Sequence, residues 1–440
     1  MLVEDPVNGD RPADEDESVQ ETSGQEPLVY ASPLPAMENP NAYRPIVFYS
    51  QDAHYSVVQA VRLLELTTFY QEGRTYYPGQ CPITRNGEWP EEVPSHDYDK
   101  NDPLSGTIRI DDLTTLVRFF AGRGYPVIIV LNLGTTWKGA YDDIPAVDKM
   151  LQGLEEEFPW LWNRNVEYGA MRTESADMRR GFWVHVDGTP GALFLPFIEM
   201  AWKNGLIDRM GPVFDFRNES VMSIGCSMHE WVDSTWPSGM YMTRKPCRLL
   251  PPEIAGYTDT GLVSKTCGNL SERIYERFFA QIHREDNVRK ALERERLAAY
   301  LEAALRGFED ECRKQFDPDL NLWIARSRLS LQVRFRLANA EIGTKWKLGT
   351  ERLRVTVGPN LQQIRSYSYV SVISLGSHEQ IDAFIDDLRR AASEDLHNAF
   401  PLLDGRLPNP GPQMPSATPG RFRSGHRTVM PYQGKSPRTE

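Results

Sequence analysis

The sequence predicts an α/β fold in which a large, mostly parallel sheet domain is followed by a smaller C-terminal α+β domain. Three segments are apolar for most of their length, as strands buried on both faces are: 46–50 (IVFYS), 126–136 (PVIIVLNLGTT) and 181–188 (GFWVHVDG). Segments with helically spaced apolar residues separate them, and this alternation indicates a parallel sheet covered by helices. Beyond about residue 280, a long helix and several strands predict the second domain.

The elements of the large domain follow in order along the chain. Apolar residues at helical spacing predict a helix at 56–66, directly after the first strand. A proline-rich stretch, 73–106, is longer than ordinary loops and is expected to be functional or a family-specific insertion. Asp111 and Asp112 favour the N-terminal dipole of the next helix, which ends at the glycines of AGRG (121–124).

The C-terminal part of the chain predicts its own set of elements. A long helix is expected at 282–308 and an amphipathic helix at 378–395. Strand-like segments lie between them at 322–337, 352–357 and 366–375. Helices and strands that are segregated in this way predict a small α+β domain.

Two segments lie outside these domains. Residues 1–42 are acidic, since nine Asp or Glu and one Arg precede residue 27. Residues 401–440 are rich in Pro, Gly and Arg. Neither segment can bury enough apolar surface to offset its ordering entropy, so both are expected to be disordered. The folded domains are therefore expected at 43–280 and 281–400.

Composition argues against several classes of function. A net charge of −12 over 440 residues argues against a general nucleic-acid binder, which needs clustered Lys and Arg. No stretch approaches the ~20 apolar residues that cross a bilayer. The five cysteines lack zinc-site or disulfide spacing, and the acidic N-terminus is unlike a secretory signal. These features predict a cytoplasmic protein with reduced thiols, no metal site and no membrane contact.

Polar residues follow the predicted strands at their carboxyl ends, where α/β sheets bind ligands. His54 follows the first strand, Thr135 and Thr136 end the second segment, and Asp187 ends the third. Each position also has a structural interpretation. His54 would cap a helix, Asp187 would accept hydrogen bonds from nearby backbone amides, and the glycine of LGTT would mark a turn.

Four motifs occur in order along the chain: YSQDAHYSVVQAVRLLEL (49–66), VLNLGTTWKGAYDDI (130–144), FWVHVDGTPGA (182–192) and PVFDFRNESVMSIGCSMHEWVDSTWPSGMYMTRK (212–245). Together they resemble the group II pyridoxal-phosphate-dependent amino-acid decarboxylases, in particular the histidine-decarboxylase-like branch. LWIARSRLSLQVRFRLANAEI (322–342) continues the resemblance, which covers residues 43–395. It implies fold type I, pyridoxal phosphate as cofactor, an amino-acid substrate, and a dimer with active sites at the subunit interface.

The resemblance also implies roles for individual residues. Asp187 matches the carboxylate that pairs with the pyridinium nitrogen of the cofactor and keeps it protonated. His54 matches the imidazole that stacks on the cofactor ring. The remaining matches line the cofactor pocket or lie beside its phosphate: Thr136, Thr189, Ser227 and His229.

The position of the cofactor-binding lysine departs from the family pattern. Family members read Ser-Gly-His-Lys, whereas this chain reads SMHE at 227–230. The lysine amine holds the cofactor as an imine, which the carboxylate of Glu230 cannot form. An anion ~6 Å from the phosphate would also cost roughly 3 kcal/mol at an effective dielectric of ~20. Lys245 and Lys265 are close in sequence, but neither aligns with the missing lysine.

Two further departures concern the cofactor phosphate. Family members carry roughly a hundred residues before the region that starts here at Tyr43, including a loop at a helix N-terminus that holds the phosphate. The large domain is therefore expected to be incomplete at its N-terminus. In TGLVSKTCGN (260–269), Cys267 stands where the family has an arginine, and Thr266 and Asn269 are interpreted as remnants of the family's glycine-serine-arginine-asparagine run near the phosphate.

These features leave three hypotheses. The first is a catalytically impaired member of the family that acts as a scaffold or as the regulatory half of a heterodimer with an intact paralogue. The second is an enzyme that uses the cofactor without a covalent anchor, with Glu230 or His229 as proton carrier and Asp187 and His54 as binding residues. The third is a shortened product that folds poorly because it exposes apolar surface.

Overall fold

Buried apolar segments set the positions of the strands in this protein. The computed structural model describes residues 41–96, 105–136, 138–167, 176–189, 191–231, 239–244, 247, 284–358, 361–373 and 375–400. The strands are β1 Ile46–Tyr49, β2 Thr67–Thr68, β3 Val127–Asn132, β4 Arg164–Glu167, β5 Ala176–Arg179, β6 Phe182–Asp187, β7 Val221–Ser227, β8 Gly239–Thr243, β9 Gln332–Arg336, β10 Gly349–Gly358 and β11 Leu361–Ser371.

Helices connect these strands and cover the sheets. They are α1 Tyr55–Leu63, α2 Phe69–Tyr76, α3 Ile110–Ala121, α4 Ile144–Gly153, α5 Pro159–Trp162, α6 Leu195–Lys203, α7 Met228–Trp231, α8 Arg284–Gln315, α9 Ala340–Lys345, α10 His378–Glu394 and α11 Leu396–Ala399. Several of them have a side-chain cap at the first turn. Thr68, for example, forms a capping box with Gln71, and Ser377 caps α10.

The larger sheet has six strands in the order β2-β1-β3-β6-β7-β8. Neighbours from β2 to β7 pair in parallel, and β8 pairs antiparallel with β7. This confirms the predicted fold class, a large and mostly parallel α/β sheet of fold type I. All carboxyl ends of the parallel strands therefore lie along one edge of the sheet.

The two faces of the sheet are covered unequally. One face packs into the main apolar core, to which β3 contributes Ile129 and Leu131 and β6 contributes Val184 and Val186. On the other face, α1 packs over β1 and β3 in a small separate cluster: Val47, Tyr49, Val57, Val61 and Val130. Alternation along β6 turns Trp183, His185 and Asp187 to this second face, where they are half-buried.

The C-terminal part of the described chain forms a three-stranded antiparallel sheet in the order β10-β11-β9, with α8 and α10 packed together. The prediction of a strand throughout 322–337 is wrong, because only Gln332–Arg336 forms one. Trp323 and Leu329 adopt positive φ angles of 52° and 62°, which no extended strand accommodates. The segment 322–331 is therefore irregular.

The segment 260–269, the predicted C-terminal tail and residues 1–40 of the predicted N-terminal tail lie outside the described residues, whereas Asn41 and the buried Ala42 at the end of that tail belong to the fold. Within the described part of the chain, no helix has the length and apolarity needed to cross a membrane. The same residues contain no cluster of His, Cys, Asp or Glu that could hold a metal ion. Four cysteines among them are free thiols: Cys81, Cys226, Cys247 and Cys312.

Candidate functional site

The candidate site lies at the carboxyl edge of the large sheet. Sheet register places Asn132, the last residue of β3, beside Asp187, the last residue of β6. Asp187 in turn lies beside Gly225 of β7. The sheet thus brings the ends of three parallel strands together, as the sequence predicted for a ligand site.

Asp187 is half-buried and projects from the face of the sheet that carries His185. Its Oδ1 accepts a hydrogen bond from the backbone N–H of Thr189 at 3.2 Å, and Thr189 itself is exposed. This is the local backbone contact that the structural interpretation of Asp187 describes. The carboxylate still has further acceptor positions, since an ionised carboxylate offers about four.

A hydrogen-bonded group beneath Asp187 fixes the neighbouring side chains. Ser223 Oγ lies 2.8 Å from His185 Nδ1 and accepts a hydrogen bond from Trp183 Nε1 at 2.8 Å. The ring of His185 stacks near that of Tyr241, with centroids 6.0 Å apart. Burial lowers the pKa of His185, and the charge of Asp187 opposes this effect. The sequence motif HVD does not by itself predict the contacts of His185 with Ser223 and Tyr241.

His54 caps α1. Its Nδ1 accepts a hydrogen bond from the backbone N–H of Ser56 at 3.4 Å and lies 2.8 Å from Ser56 Oγ. Its ring centroid is 4.1 Å from that of Tyr55. Because Nδ1 acts as an acceptor here, the neutral ring carries its proton on Nε2, which is left as a donor. The capping interpretation of His54 is therefore confirmed.

The loop after β3 is held in place by the C-terminal sheet. Thr135 is buried and Thr136 is half-buried. The side-chain amide of Gln332, at the start of β9, faces the carbonyl oxygens of Thr135 and Thr136, and with its nitrogen assigned to that side it donates to Thr135 O at 2.7 Å and to Thr136 O. Within the loop, Thr135 Oγ1 accepts a hydrogen bond from Ala140 N–H at 2.9 Å. The position of Thr136 thus depends on a residue almost 200 positions later in the chain.

Sequence reasoning missed a buried polar cluster beside this loop. Asp142 accepts hydrogen bonds from the backbone N–H of Ile108 at 2.7 Å and of Asn132 at 2.6 Å. Asn132 Nδ2 also donates to Ser50 Oγ at 3.0 Å. Burial raises the pKa of Asp142 to about 6, and these hydrogen bonds oppose the rise. The motif GAYDDI contains Asp142, but nothing in its spacing indicates that the carboxylate is buried.

Arg334 of β9 is a buried cation that interacts electrostatically with Asp52, a residue that follows β1. Its side chain is 2% exposed, and its guanidinium carbon lies 4.4 Å from the ring centroid of Tyr367. Burial lowers the pKa of Arg334, whereas Tyr367 and the buried Asp52 oppose this. Asp52 directly precedes the His54 region. The alternating pattern of 331–337 would have indicated a solvent-facing arginine at this position.

The end of β7 carries the remaining predicted residues. Ser227 is buried and ends the strand, and α7 follows directly with Met228, His229, Glu230 and Trp231. Thr266 lies outside the described residues, as do Lys245 and Lys265.

Trp231 anchors α7. Its ring is 4% exposed and lies 5.5 Å from that of Phe194 and 6.0 Å from that of Phe197, measured between centroids. Lys290 of α8 donates to Trp231 O at 2.7 Å, and Trp231 Nε1 donates to Asn287 at 3.3 Å. The backbone position of α7 is therefore fixed against the core.

Comparison with known proteins gives consistent results. No protein-family model matches the chain. Among curated proteins, it is similar to the histidine decarboxylase of Klebsiella aerogenes (24% identical over 199 residues, 45% of this chain and 36% of the relative). It is also similar to serine decarboxylase 1 of Oryza sativa subsp. japonica (26% over 200 residues, 45% and 28%). The match spans only about a third of the length of these relatives.

A solved structure extends the similarity over most of the chain. The crystal structure of L-methionine decarboxylase from Streptomyces sp. 590, in its internal aldimine form, superposes with a TM-score of 0.69. The two sequences are 34% identical, over 80% of this chain and 71% of that chain. The complex of the same enzyme with 3-methylthiopropylamine gives a TM-score of 0.68 at the same identity.

Proposed function

Because this chain belongs to the group II pyridoxal-phosphate-dependent amino-acid decarboxylases, we propose that it is a catalytically impaired member of that family. The position of Glu230 carries the proposal. Glu230 lies in α7 directly after β7, at the point where the family pattern has the lysine that binds the cofactor. The chain keeps the fold of its relatives without the amine on which their chemistry depends.

Sheet pairing supports this alignment of Glu230. Strand β7 is paired with β6 through Ile224 and Val186 and through Gly225 and Asp187. Both faces of β7 are buried, with only Gly225 half-buried, so a slip of one residue would require the side chains on both faces to repack. The packing of Trp231 against Phe194 and Phe197 fixes the position of α7, which follows β7. A displacement of the family's lysine along the chain is therefore a poor explanation for Glu230 at this position.

The chemistry of the side chains fits the cofactor only in part. A carboxylate at Asp187 and an imidazole at His54 suit the nitrogen and the face of a pyridine ring. The carboxylate of Glu230 cannot replace an amine that forms an imine. Lys138 follows Thr136 by two positions, but its buried Nζ donates to Ser105 O at 2.8 Å. The described residues of the site therefore do not fit a covalently held cofactor, and no catalytic step is assigned to it.

Two alternatives within this proposal differ in the function that the protein retains. Asp187 and His54 favour an enzyme or binding protein that holds the cofactor, or its adduct with an amino acid, without a covalent anchor. The other alternative is a non-catalytic subunit, either as a homodimer or paired with an intact paralogue. An amino-acid ligand, a cytoplasmic location and domain boundaries at 43–280 and 281–400 belong to the same proposal.

The decisive experiment compares the wild-type chain with Glu230→Lys and with the matched control Glu230→Gln. Each purified protein is incubated with pyridoxal phosphate, its absorbance is recorded, and a sample is reduced with borohydride for peptide mass analysis. We expect the wild type and Glu230→Gln to give no reduced lysine adduct. Glu230→Lys is expected to give one at position 230, because it restores the amine. Glu230→Gln separates the missing amine from the effect of the negative charge.

Each result assigns the chain to one hypothesis. A reduced adduct on a lysine of the wild-type chain would overturn the proposal of impaired chemistry. Cofactor that is retained without an adduct, together with amino-acid turnover that Asp187→Asn abolishes, favours the enzyme without a covalent anchor. Absence of both cofactor retention and turnover in the wild type supports the non-catalytic subunit.

A further inference from the structure

His185 of β6 precedes Asp187 by two positions, so both side chains project from the same face of the sheet. The ring of His185 extends over β7 toward Tyr241 of β8, with ring centroids 6.0 Å apart and ring planes 21° apart. Gly225 of β7 lies between these strands, since it pairs with Asp187 on one side and with Tyr241 on the other. A Cβ at Gly225 would lie 3.4 Å from Cε1 and Nε2 of His185. The edge of the ring that carries Nε2 therefore lies over Gly225.

The partners of Ser223 determine which ring nitrogen of His185 carries the proton. An indole N–H can only donate, so the hydrogen bond from Trp183 Nε1 to Ser223 Oγ, at 2.8 Å, uses an acceptor position of the hydroxyl. Ser223 is 0% exposed, and His185 Nδ1, at 2.8 Å, is the other partner of its hydroxyl among the described residues. A buried hydroxyl hydrogen needs an acceptor, so Ser223 donates to Nδ1. The neutral ring then carries its proton on Nε2.

The surroundings of His185 favour its uncharged form. Burial lowers the pKa of His185, and the charge of Asp187 opposes this effect. A protonated ring has an N–H on both nitrogens, so Ser223 would have to accept a second hydrogen bond and leave its own hydrogen without an acceptor. Its neighbours on β7, Ser223 and Gly225, carry no charge, and β8 contributes the phenol of Tyr241. Among the described residues, Asp187 is the charged group that acts on His185.

We propose that His185 is a positioning residue of the candidate site, held by Trp183 and Ser223 as the uncharged tautomer with its proton on Nε2. An imidazolium at this position would compete with a cationic ligand for the carboxylate of Asp187. The hydrogen bonds from Trp183 through Ser223 prevent this competition and leave the charge of Asp187 to the ligand. The ligand class, a protonated pyridine ring, rests on the proposed function, whereas the state of His185 follows from contacts within the chain.

The test uses the full chain with ¹⁵N-labelled histidine, and NMR records the ring nitrogens of His185 from pH 5 to 8. The signal that His185→Gln removes is assigned to this ring. Ser223→Ala removes the donor to Nδ1, and Trp183→Phe removes the indole N–H. Ser220→Ala is the matched control, because Ser220 is also buried and its hydroxyl makes no hydrogen bond within the described part of the chain.

The wild type is expected to give the pattern of a neutral ring that is protonated on Nε2 at pH 7. Ser223→Ala should populate both tautomers to comparable extents, because no donor then fixes the proton. Trp183→Phe should shift the ring partway to the other tautomer, because Ser223 Oγ is then free to accept a hydrogen bond from Nδ1. Ser220→Ala should keep the wild-type pattern. A role of Ser223 in packing alone would not change the tautomer.

Two further measurements test the link between His185 and Asp187. Asp187→Asn should lower the pKa of His185, because it removes the charge that favours the imidazolium. Pyridoxamine phosphate, which has no aldehyde and needs no lysine amine, should lower this pKa as well when its ring nitrogen binds at Asp187. By linkage, its affinity should fall several-fold as pH decreases through the titration of His185. His185→Gln should remove this part of the pH dependence.

Three results would overturn the proposal: a wild-type ring protonated on Nδ1, a tautomer that Ser223→Ala leaves unchanged, or a pKa of His185 that does not respond to Asp187→Asn. Failure of pyridoxamine phosphate to bind at any pH would have a different meaning. It would exclude the cofactor-holding alternative of the proposed function, and with it the ligand assigned to Asp187. The ring spectra decide the state of His185 in either case.

Discussion

Asp142 and Asn132 are joined by two hydrogen bonds at the end of β3: Asp142 Oδ2 accepts from Asn132 N at 2.6 Å and from Asn132 Nδ2 at 3.1 Å. The other oxygen, Oδ1, accepts from Ile108 N at 2.7 Å. One buried carboxylate thus ties the strand that carries the candidate site to the segment that leads into α3. The raised pKa of Asp142 shows that burial outweighs these three hydrogen bonds.

This arrangement predicts a pH dependence of stability. The pKa of Asp142 is about 6 in the fold, against an ordinary value of 3.8. Between these values the native protein keeps a proton that the unfolded chain has lost. The contribution of Asp142 to the free energy of unfolding therefore falls as pH rises through this window, by about 3 kcal/mol in all.

The measurement is urea unfolding of the wild type and Asp142→Asn at several pH values from 4 to 7. The amide does not titrate, so the stability of the wild type relative to the variant should decrease as pH rises. A difference that stays constant across this range would contradict the burial of an ionisable group at this position.

A second prediction concerns Arg326, which joins the irregular segment before β9 to α8. Its Nε is 2.9 Å from Glu302 Oε2, its Nη1 is 3.4 Å from Glu295 Oε1, and its side chain is 10% exposed. Arg326→Met would leave two partly buried carboxylates without this partner, at a cost of about 2–3 kcal/mol in unfolding free energy. Arg289→Met is the control, because Arg289 is 78% exposed and its ion pair with Asp286 contributes less than about 1 kcal/mol. Similar losses for both variants would contradict the assigned role of Arg326.

A third prediction tests the anchoring of α7, which carries Glu230. Trp231→Ala should lower the free energy of unfolding by about 3–5 kcal/mol, because it removes a buried ring from contact with Phe194 and Phe197. Trp231→Phe keeps most of this packing and loses the hydrogen bond to Asn287, so a loss of about 1–2 kcal/mol is expected. Chemical unfolding measures both. A loss for Trp231→Ala no larger than that for Trp231→Phe would show that α7 is not held by this ring.

The large sheet could be predicted from the sequence because its signals are local. Strands β1, β3 and β6 are short apolar runs, and the helices α1 and α3 between them have apolar residues at helical spacing. The positions of Asp187 and the Thr135–Thr136 loop follow from the same pattern, since a residue that ends a parallel strand lies at the carboxyl edge. The family motifs then assign these residues to one site.

The supporting contacts of the site could not be predicted, because they join distant parts of the chain. Arg334 lies in an alternating strand whose pattern indicates exposure, yet it is buried against the ring of Tyr367 and interacts electrostatically with the distant Asp52. The contact of Gln332 with Thr135 spans 197 positions. His54 illustrates a different limit, since its side chain has a capping role that the motif alone cannot separate from a role toward a ligand.

The close approach of the loop after β3 to the segment before β9 gives the last prediction. Gly139 has a φ of 68°, and a Cβ at this position would overlap Oγ of Ser330. Gly139→Ala is therefore expected to lower the free energy of unfolding by more than about 2 kcal/mol, from the unfavourable φ and the steric overlap together. Gly153→Ala is the control, because Gly153 ends α4 and a Cβ there would have no atom within 4 Å, so it should stabilise the protein by up to about 1 kcal/mol. Adding Ser330→Gly to Gly139→Ala should remove the steric part and leave a smaller loss from the φ angle. Purely additive effects of these two substitutions, measured in a double-mutant cycle, would contradict the contact between the loop and this segment.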